Sequence, residues 1–290
     1  MTFKTRFAPS PTGPLHLGHA FSALFAFDLA KRNIGEFHLR IEDIDTSRSR
    51  TVWEDEIYND LKWMGITWSA PVVRQSERID KYKVKLEELL GLGLLYQCTC
   101  TRKDITDAVS APQDQVTGKG SNGPVYPGTC RHKSKQTLES PNFSLRLDME
   151  KVWDHIKVPY LSFFEAEKIL PGTPVQQFIT RDIAISSIGD VVLARMDIGT
   201  SYHLSVVIDD ADTGINNVVR GEDLYEATQL HTILNALFSF PNPTFYHHRL
   251  IMDSKGKRLA KRNNSEAISK LRKEGHSSTY LREKLKLSLI

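Results

Sequence analysis

Thr5-Arg6-Phe7-Ala8-Pro9-Ser10-Pro11-Thr12-Gly13-Pro14-Leu15-His16-Leu17-Gly18-His19 joins three kinds of backbone within fifteen residues. Thr2 to Ala8 predicts a short strand and Pro9 to Pro14 a turn. From about Leu17 to Gly18 a helix opens, with Phe21, Leu24, Phe25 and Leu29 spaced to share a face. A Gly/Pro-shaped turn that opens a helix directs free backbone N–H groups and the positive dipole end at whatever binds there, which favours an anion. His16 and His19 lie on that same turn and can donate hydrogen bonds to phosphate oxygens as charge develops. Gly18 between them leaves room for a flat ring against the backbone. Two histidines near a helix start are more often surface decoration or a cap, and the proline-rich segment alone is an ordinary turn. Their conjunction is much harder to explain that way.

The alternation continues downstream. Glu36 to Ile41 predicts a strand, Trp53 to Met64 a helix closed by Gly65, Val72 to Gln75 a strand, and Ile79 to Leu90 a helix stopped by Gly91 and Gly93. Strands alternating with helices imply a parallel sheet. From Thr101 to Thr129 the periodicity gives way to Asp, Gln, Gly, Ser and Pro, the composition of a long loop within an insertion. Strands are expected at Phe143 to Leu147, near Asp182 to Ile185, at Val191 to Ala194, around Val218 and Val219, and at Phe245 to Ile251. Helices are expected at Tyr202 to Asp210 and Leu224 to Phe238, with two short ones near Glu266 to Lys273 and Thr279 to Leu287. No internal repeat is visible.

At 290 residues the chain is large enough for one domain with an insertion or for two modest ones. Apolar residues at 40%, charged residues at 25% and a mean hydropathy of -0.34 describe a globular protein and exclude fibrous and low-complexity classes. A formal charge of +3 permits a nucleic-acid partner without demanding one, although Lys255 to Arg282 is locally basic. No apolar stretch approaches the roughly 20 residues that span a bilayer, and the start lacks the apolar core of a secretory signal, so the expectation is a cytoplasmic protein with no membrane partner. The three cysteines include Cys98 and Cys100, one residue apart, with Cys130 thirty residues further on. That spacing suits a metal better than a disulfide framework. Three thiolates need a fourth donor for tetrahedral zinc, and Tyr126 and His132 are the candidates. Ligand chemistry favours His132, since a phenol must lose a proton with a pKa of about 10.

A second basic element, Lys257-Arg258-Leu259-Ala260-Lys261-Arg262, follows the last predicted strand. Cations on such a loop can close over a polyphosphate and follow its charge as the leaving group departs. His16-Leu17-Gly18-His19 paired with Arg258-Leu259-Ala260-Lys261-Arg262 resembles the two signatures of class I aminoacyl-tRNA synthetases. Arg6 to Gly13, Arg40-Ile41-Glu42-Asp43-Ile44-Asp45 and Val219-Arg220-Gly221-Glu222-Asp223 resemble its glutamyl branch. The Cys-x-Cys and Tyr-x-x-x-Cys elements are similar to the zinc subdomain of the short glutamyl-queuosine tRNA(Asp) synthetases. One position departs: the family usually has Ser where this chain has Ala260, while Lys261 is retained.

The resemblance implies an α/β fold. It comprises a Rossmann-type parallel sheet, a zinc-containing α+β insertion and a short helical C-terminal segment. Its expected divisions are residues 1–95 and 181–252 for the two halves of the catalytic domain, 96–180 for the insertion, and 253–290 for a KMSKS-like loop with the terminal helices. With only 28 residues after Arg262, no anticodon-binding domain is expected. His16, His19 and Lys261 would be catalytic, and His16, Gly18, His19, Arg258 and Lys261 would hold ATP. Arg6, Phe7, Ala8, Pro9, Ser10, Glu42, Tyr202 and Arg220 would hold L-glutamate. Arginine forks suit carboxylates and Glu42 suits an ammonium group. Cys98, Cys100, Tyr126 and Cys130 would bind one structural Zn2+, and Mg2+ would accompany ATP, held mainly by phosphates and water. The implied reaction is tRNA-independent activation of glutamate followed by transfer to the queuosine base of tRNA-Asp, by a monomer. The rivals are a truncated glutamyl enzyme charging the tRNA 3′ end and a non-catalytic RNA- or nucleotide-binding descendant.

Overall fold

The computed structural model describes residues 2–110, 119–120, 123–133, 143–166, 173–252 and 267–287. Strand β1 (Lys4–Phe7) leads through the Pro/Gly turn into helix α1 (Leu17–Arg32), then β2 (Glu36–Ile41), α2 (Thr51–Trp63), β3 (Ser69–Arg74), α3 (Ile79–Gly91) and β4 (Leu95–Cys98). Helix α4 (Arg102–Ser110) and the two-residue strands β5 (Lys119–Gly120) and β6 (Gly123–Pro124) come next. They precede β7 (Ser144–Leu147), α5 (Met149–Ile156), β8 (Tyr160–Glu165), β9 (Val175–Thr180), the one-turn α6 (Arg181–Ile183) and β10 (Val192–Arg195). The chain closes with α7 (Tyr202–Asp212), β11 (Asn217–Gly221), α8 (Ala227–Leu237), β12 (Thr244–His248), α9 (Ile268–Lys273) and α10 (Ser278–Lys284).

Strands β1, β2 and β3 form a parallel sheet, as do β11, β12 and β8, with β9 added antiparallel at the edge. The two sheets meet where β1 lies beside β11: Lys4 N–H donates to Asn216 Oδ1 at 2.8 Å, and Asn216 N–H donates to Lys4 O at 3.2 Å. Residues far apart in sequence thus share one carboxyl edge. A separate antiparallel sheet, β10-β7-β4, carries Cys98 at its margin.

Consecutive strand residues point to opposite faces, so Val218 enters one core and Val219 the other. The first core packs α3, α5, α7 and α8 around Phe163, Leu230, Ile233 and Phe245. The second packs α1, α2, α9 and α10 around Phe21, Leu24, Leu39, Ile41, Leu61 and Leu281. Each fully buried aliphatic or Phe side chain in these layers contributes about 1.5–3 kcal/mol. The layers hold the strand ends in fixed register.

Three expectations are corrected. Arg102–Ser110 is a helix rather than loop, opened by a reciprocal cap in which Thr101 N–H donates to Asp104 Oδ2 and Asp104 N–H donates to Thr101 Oγ1, at 2.8 and 3.2 Å. Asp182 to Ile185 is helical rather than extended, because Thr180 Oγ1 accepts from Ile183 N–H and starts a turn that widens into a π-helical segment over Ala184–Ile188. The last strand stops at His248 rather than Ile251.

Candidate active site

A cleft of about 570 Å³ opens at the carboxyl edge of β1, β2, β11 and β12. Its walls include Arg6, Phe7, Ala8, Pro9 and Ser10 from the end of β1 and its turn, Glu42 just past β2, and Arg220 on β11. Tyr202 enters from the first position of α7, where Ser201 Oγ accepts from Leu204 N–H. His16, Gly18 and His19 complete the mouth. The turn is tied to its neighbours by Glu42 N–H donating to Pro9 O and Arg50 N–H donating to Pro11 O, each at 3.0 Å. Every site residue expected in the first half of the nucleotide signature therefore lies in one cleft. Arg258, Ala260 and Lys261 lie outside the described residues. The chain on either side of 253–266 is in view: Ile251 lines the cleft, and Ala267 forms an antiparallel bridge with His16.

The helix start is built by the histidines. His16 Nδ1 accepts from Gly18 N–H at 3.1 Å, and His19 Nδ1 accepts from the His16 N–H at 3.2 Å. In each neutral ring this leaves the proton on Nε2. The rings stack with centroids 3.7 Å apart. A Cβ at position 18 would lie 3.0 Å from His16 Cε1 and 3.1 Å from its Nδ1, so any side chain there would press on the folded-over histidine. No acidic residue occupies the first turn of α1, and the positive end of its dipole remains directed to the cleft mouth.

Behind the cleft lies a charge network that sequence motifs did not indicate. Arg6 Nε donates to Asp210 Oδ1 at 2.9 Å and its Nη2 to Asp210 Oδ2 at 3.2 Å. Arg40 Nη1 donates to Asp210 Oδ1 at 2.5 Å and Arg40 Nη2 to Glu42 Oε1 at 3.0 Å. Burial pushes the Asp210 carboxyl up, but Arg6 and Arg40 together more than reverse this and hold it below the usual carboxylate range. Burial also raises Glu42, against the pull of Arg40 and Arg6. Arg220 differs: its Nε donates to His247 Nε2 at 3.1 Å, its Nη1 to His231 Nδ1 at 3.1 Å and its Nη2 to Thr228 Oγ1 at 2.6 Å. The cleft thus presents a cation held by neutral groups on one side and a carboxylate on the other.

The thiols of Cys98, Cys100 and Cys130 lie within 4.8 Å of one another. Tyr126 Oη sits 3.4 Å from the sulfurs of both Cys98 and Cys100 and accepts from Cys130 N–H at 2.9 Å. His132 is exposed and outside this cluster. Burial raises the Cys130 thiol, yet hydrogen bonds from Tyr126, Thr99 and Cys100 bring it down to about 7, while burial pushes Cys100 up to about 11. Arg131 Nε fastens the cysteine turn to Asp190 Oδ2 at 2.9 Å, and the Arg146 guanidinium lies 3.9 Å over the Tyr126 ring. The three thiols form a donor set that suits zinc, and the Tyr126 hydroxyl lies beside two of them.

A parallel sheet with a histidine-capped helix at its carboxyl edge is the architecture of a nucleotide-binding α/β domain. The family described as tRNA synthetases class I (E and Q), catalytic domain, matches residues 2–289. Glutamyl-Q tRNA(Asp) synthetase of Rhodobacter capsulatus is 49% identical over 282 residues, covering 96% of this chain and 98% of that protein. Its counterpart in Deinococcus radiodurans is 39% identical, with 96% and 85% covered. The crystal structure of glutamate-tRNA synthetase from Elizabethkingia anophelis superposes with a TM-score of 0.67 at 28% identity over 90% of this chain. This chain spans about half, 53%, of that one. The chain belongs to the class I tRNA synthetases of the E and Q type and, within them, to the glutamyl-Q tRNA(Asp) synthetases. Among the described residues no helix is long and apolar enough to cross a membrane.

Proposed function

We propose that this chain activates L-glutamate with ATP, without RNA, and then passes the glutamyl group to the queuosine base of tRNA-Asp. An α-carboxylate oxygen of glutamate attacks the α-phosphorus of ATP, the bond to the β-phosphate breaks, and pyrophosphate leaves. A hydroxyl of the queuosine cyclopentene ring then attacks the acyl carbon, the acyl–phosphate bond breaks, AMP leaves and the hydroxyl proton goes to solvent. No side chain acts as a covalent nucleophile, because the adenylate is already the activated acyl donor.

His16 and His19 bind phosphate oxygens through Nε2–H at the helix start, with Gly18 keeping that surface free, and Arg258 and Lys261 of the second signature add cationic charge to the polyphosphate. Arg6, Ser10, Glu42, Tyr202 and Arg220 hold glutamate, with Phe7, Ala8 and Pro9 supplying the wall. Glu42 accepts from the ammonium group and an arginine takes the side-chain carboxylate. Mg2+ arrives with ATP, held by phosphates and water. Cys98, Cys100, Tyr126 and Cys130 would hold a structural Zn2+, which would fasten the insertion, residues 96–180. The working unit is a cytoplasmic monomer.

The observation that carries this function is the bipolar cleft: Arg220, hydrogen-bonded to His247, His231 and Thr228 among the described residues, and the Glu42 carboxylate line the same cavity as the histidine-capped helix start. ATP–pyrophosphate exchange tests it. Exchange should require glutamate and proceed without tRNA; its absence in folded, zinc-loaded protein contradicts the proposal.

A further inference from the structure

Arg220 is a buried cation whose hydrogen bonds to His247, His231 and Thr228 are made to uncharged groups, and the histidines around it explain why. A guanidinium can only donate hydrogen bonds, so His231 Nδ1 and His247 Nε2 must both be unprotonated acceptors. His231 then carries its proton on Nε2 and donates it to His203 Nδ1 at 3.1 Å. His247 carries its proton on Nδ1 and donates to Glu165 Oε2 at 2.8 Å. Thr228 Oγ1 supplies the third acceptor. The tautomers close into one consistent chain running from α7 through α8 to the guanidinium and out to β8.

Burial lowers His203 to about 4 and His231 and His247 below the ordinary imidazole value, with Arg220 acting in the same direction. All three rings therefore remain uncharged near neutral pH. Asp210 is already engaged by Arg6 and Arg40, and Glu165 meets Arg220 only through His247. From the cleft side the Tyr202 hydroxyl acts on Arg220, Arg6 opposes its charge, and Asp210 attracts it only at a distance, being hydrogen-bonded to Arg6 and Arg40.

We infer that His231, backed by His203, is a positioning residue for substrate choice: by serving as a neutral acceptor it holds the Arg220 fork in place and leaves its charge to be met by a substrate carboxylate rather than by the protein. With the side-chain carboxylate assigned to Arg220, selectivity for glutamate over glutamine follows, because an amide cannot supply the missing counter-charge. A carboxylate at position 231 would satisfy Arg220 internally. This rests on the proposed activation of glutamate.

Asn and Asp are nearly identical in shape, so His231→Asn and His231→Asp separate charge from packing. KM for glutamate, glutamine and ATP is measured in pyrophosphate exchange, and binding of glutamate alone is measured by calorimetry. The Asp variant should show a glutamate KM at least tenfold above that of the Asn variant and a reduced preference over glutamine. Their ATP KM values should agree within threefold. Equal glutamate KM values in the two variants would overturn the inference. Should the His231→Asp chain fail to fold, His203→Asn and His203→Asp give the same comparison one ring further out, with an expected difference of about threefold; no difference there counts equally against the idea. Wild-type protein that binds glutamate but fails to exchange would remove the activation reaction and leave the charge argument standing. Wild-type protein that binds no glutamate removes both.

Discussion

Asp210 sets the charge balance of the cleft, since one carboxylate accepts from two buried guanidiniums, Arg6 and Arg40. Replacing it with Asn keeps the shape and removes the counter-charge, and stripping one partner from such a buried group costs about 3–5 kcal/mol. Urea unfolding at pH 7 should show that loss as a lower midpoint, and an unchanged midpoint would contradict the assignment. The pH dependence has a definite sign: the folded carboxyl lies below its unfolded value, so its stabilisation is complete above about pH 4 and disappears as pH falls through the folded value. The Asn variant should lack that acid-sensitive component. Asp210 escaped the sequence because it works by touching residues 170 and 204 positions away, for which no local spacing exists. Thr228, His231 and His247 escaped for the same reason, being ordinary buried positions of α8 and β12 in pattern. Arg6, Ser10 and Glu42 could be placed at the carboxyl edge from the strand ends and turn they occupy, where a parallel sheet collects its ligand groups, whereas Tyr202 and Arg220 were singled out only by the family resemblance.

Two elements flank this centre. Helices α9 and α10 are docked by ion pairs, Arg272 Nε to Asp60 Oδ1 at 3.2 Å and the Arg282 fork to Asp28 at 2.7 and 2.8 Å. Burial pushes Asp60 up to about 6, with Arg272 reversing it only in part, and among the described residues Asp60 Oδ2 has no hydrogen-bond partner. Because the folded value exceeds the unfolded one, the folded chain keeps a proton that the unfolded chain releases between about pH 4 and 6, and stability falls as pH rises through that window. Thermal midpoints of wild type and Asp60→Asn should therefore differ in slope between pH 4 and 6.5, the variant losing less; parallel curves would refute this. At the cysteine turn, protein should carry one zinc per chain, and Tyr126→Phe should surrender it to a competing chelator at least tenfold more readily than His132→Ala. The reverse order would make His132 the fourth ligand. Helix α4 was present in the sequence as Thr101-x-x-Asp104, a cap signature hidden by the polar composition around it. The segment from Asp182 to Ile185 was ambiguous, since a short apolar run fits helix and strand alike.

On the scale of the molecule, the cleft exists only because β1 and β11 lie side by side, a contact between residues 4 and 216. Alternating strands and helices foretold a parallel sheet, but not which strand would become its neighbour across the insertion. The second signature is bracketed by Ile251 in the cleft wall and Ala267 paired to His16. Transfer of labelled glutamate measures the central claim most directly. The protein is incubated with radiolabelled glutamate, ATP, and tRNA-Asp prepared with or without queuosine, and the labelled RNA is mapped by nuclease digestion. Label should appear on the queuosine-containing tRNA alone and fall within the anticodon loop; label at the 3′ end, or equal label on queuosine-free tRNA, would contradict the account.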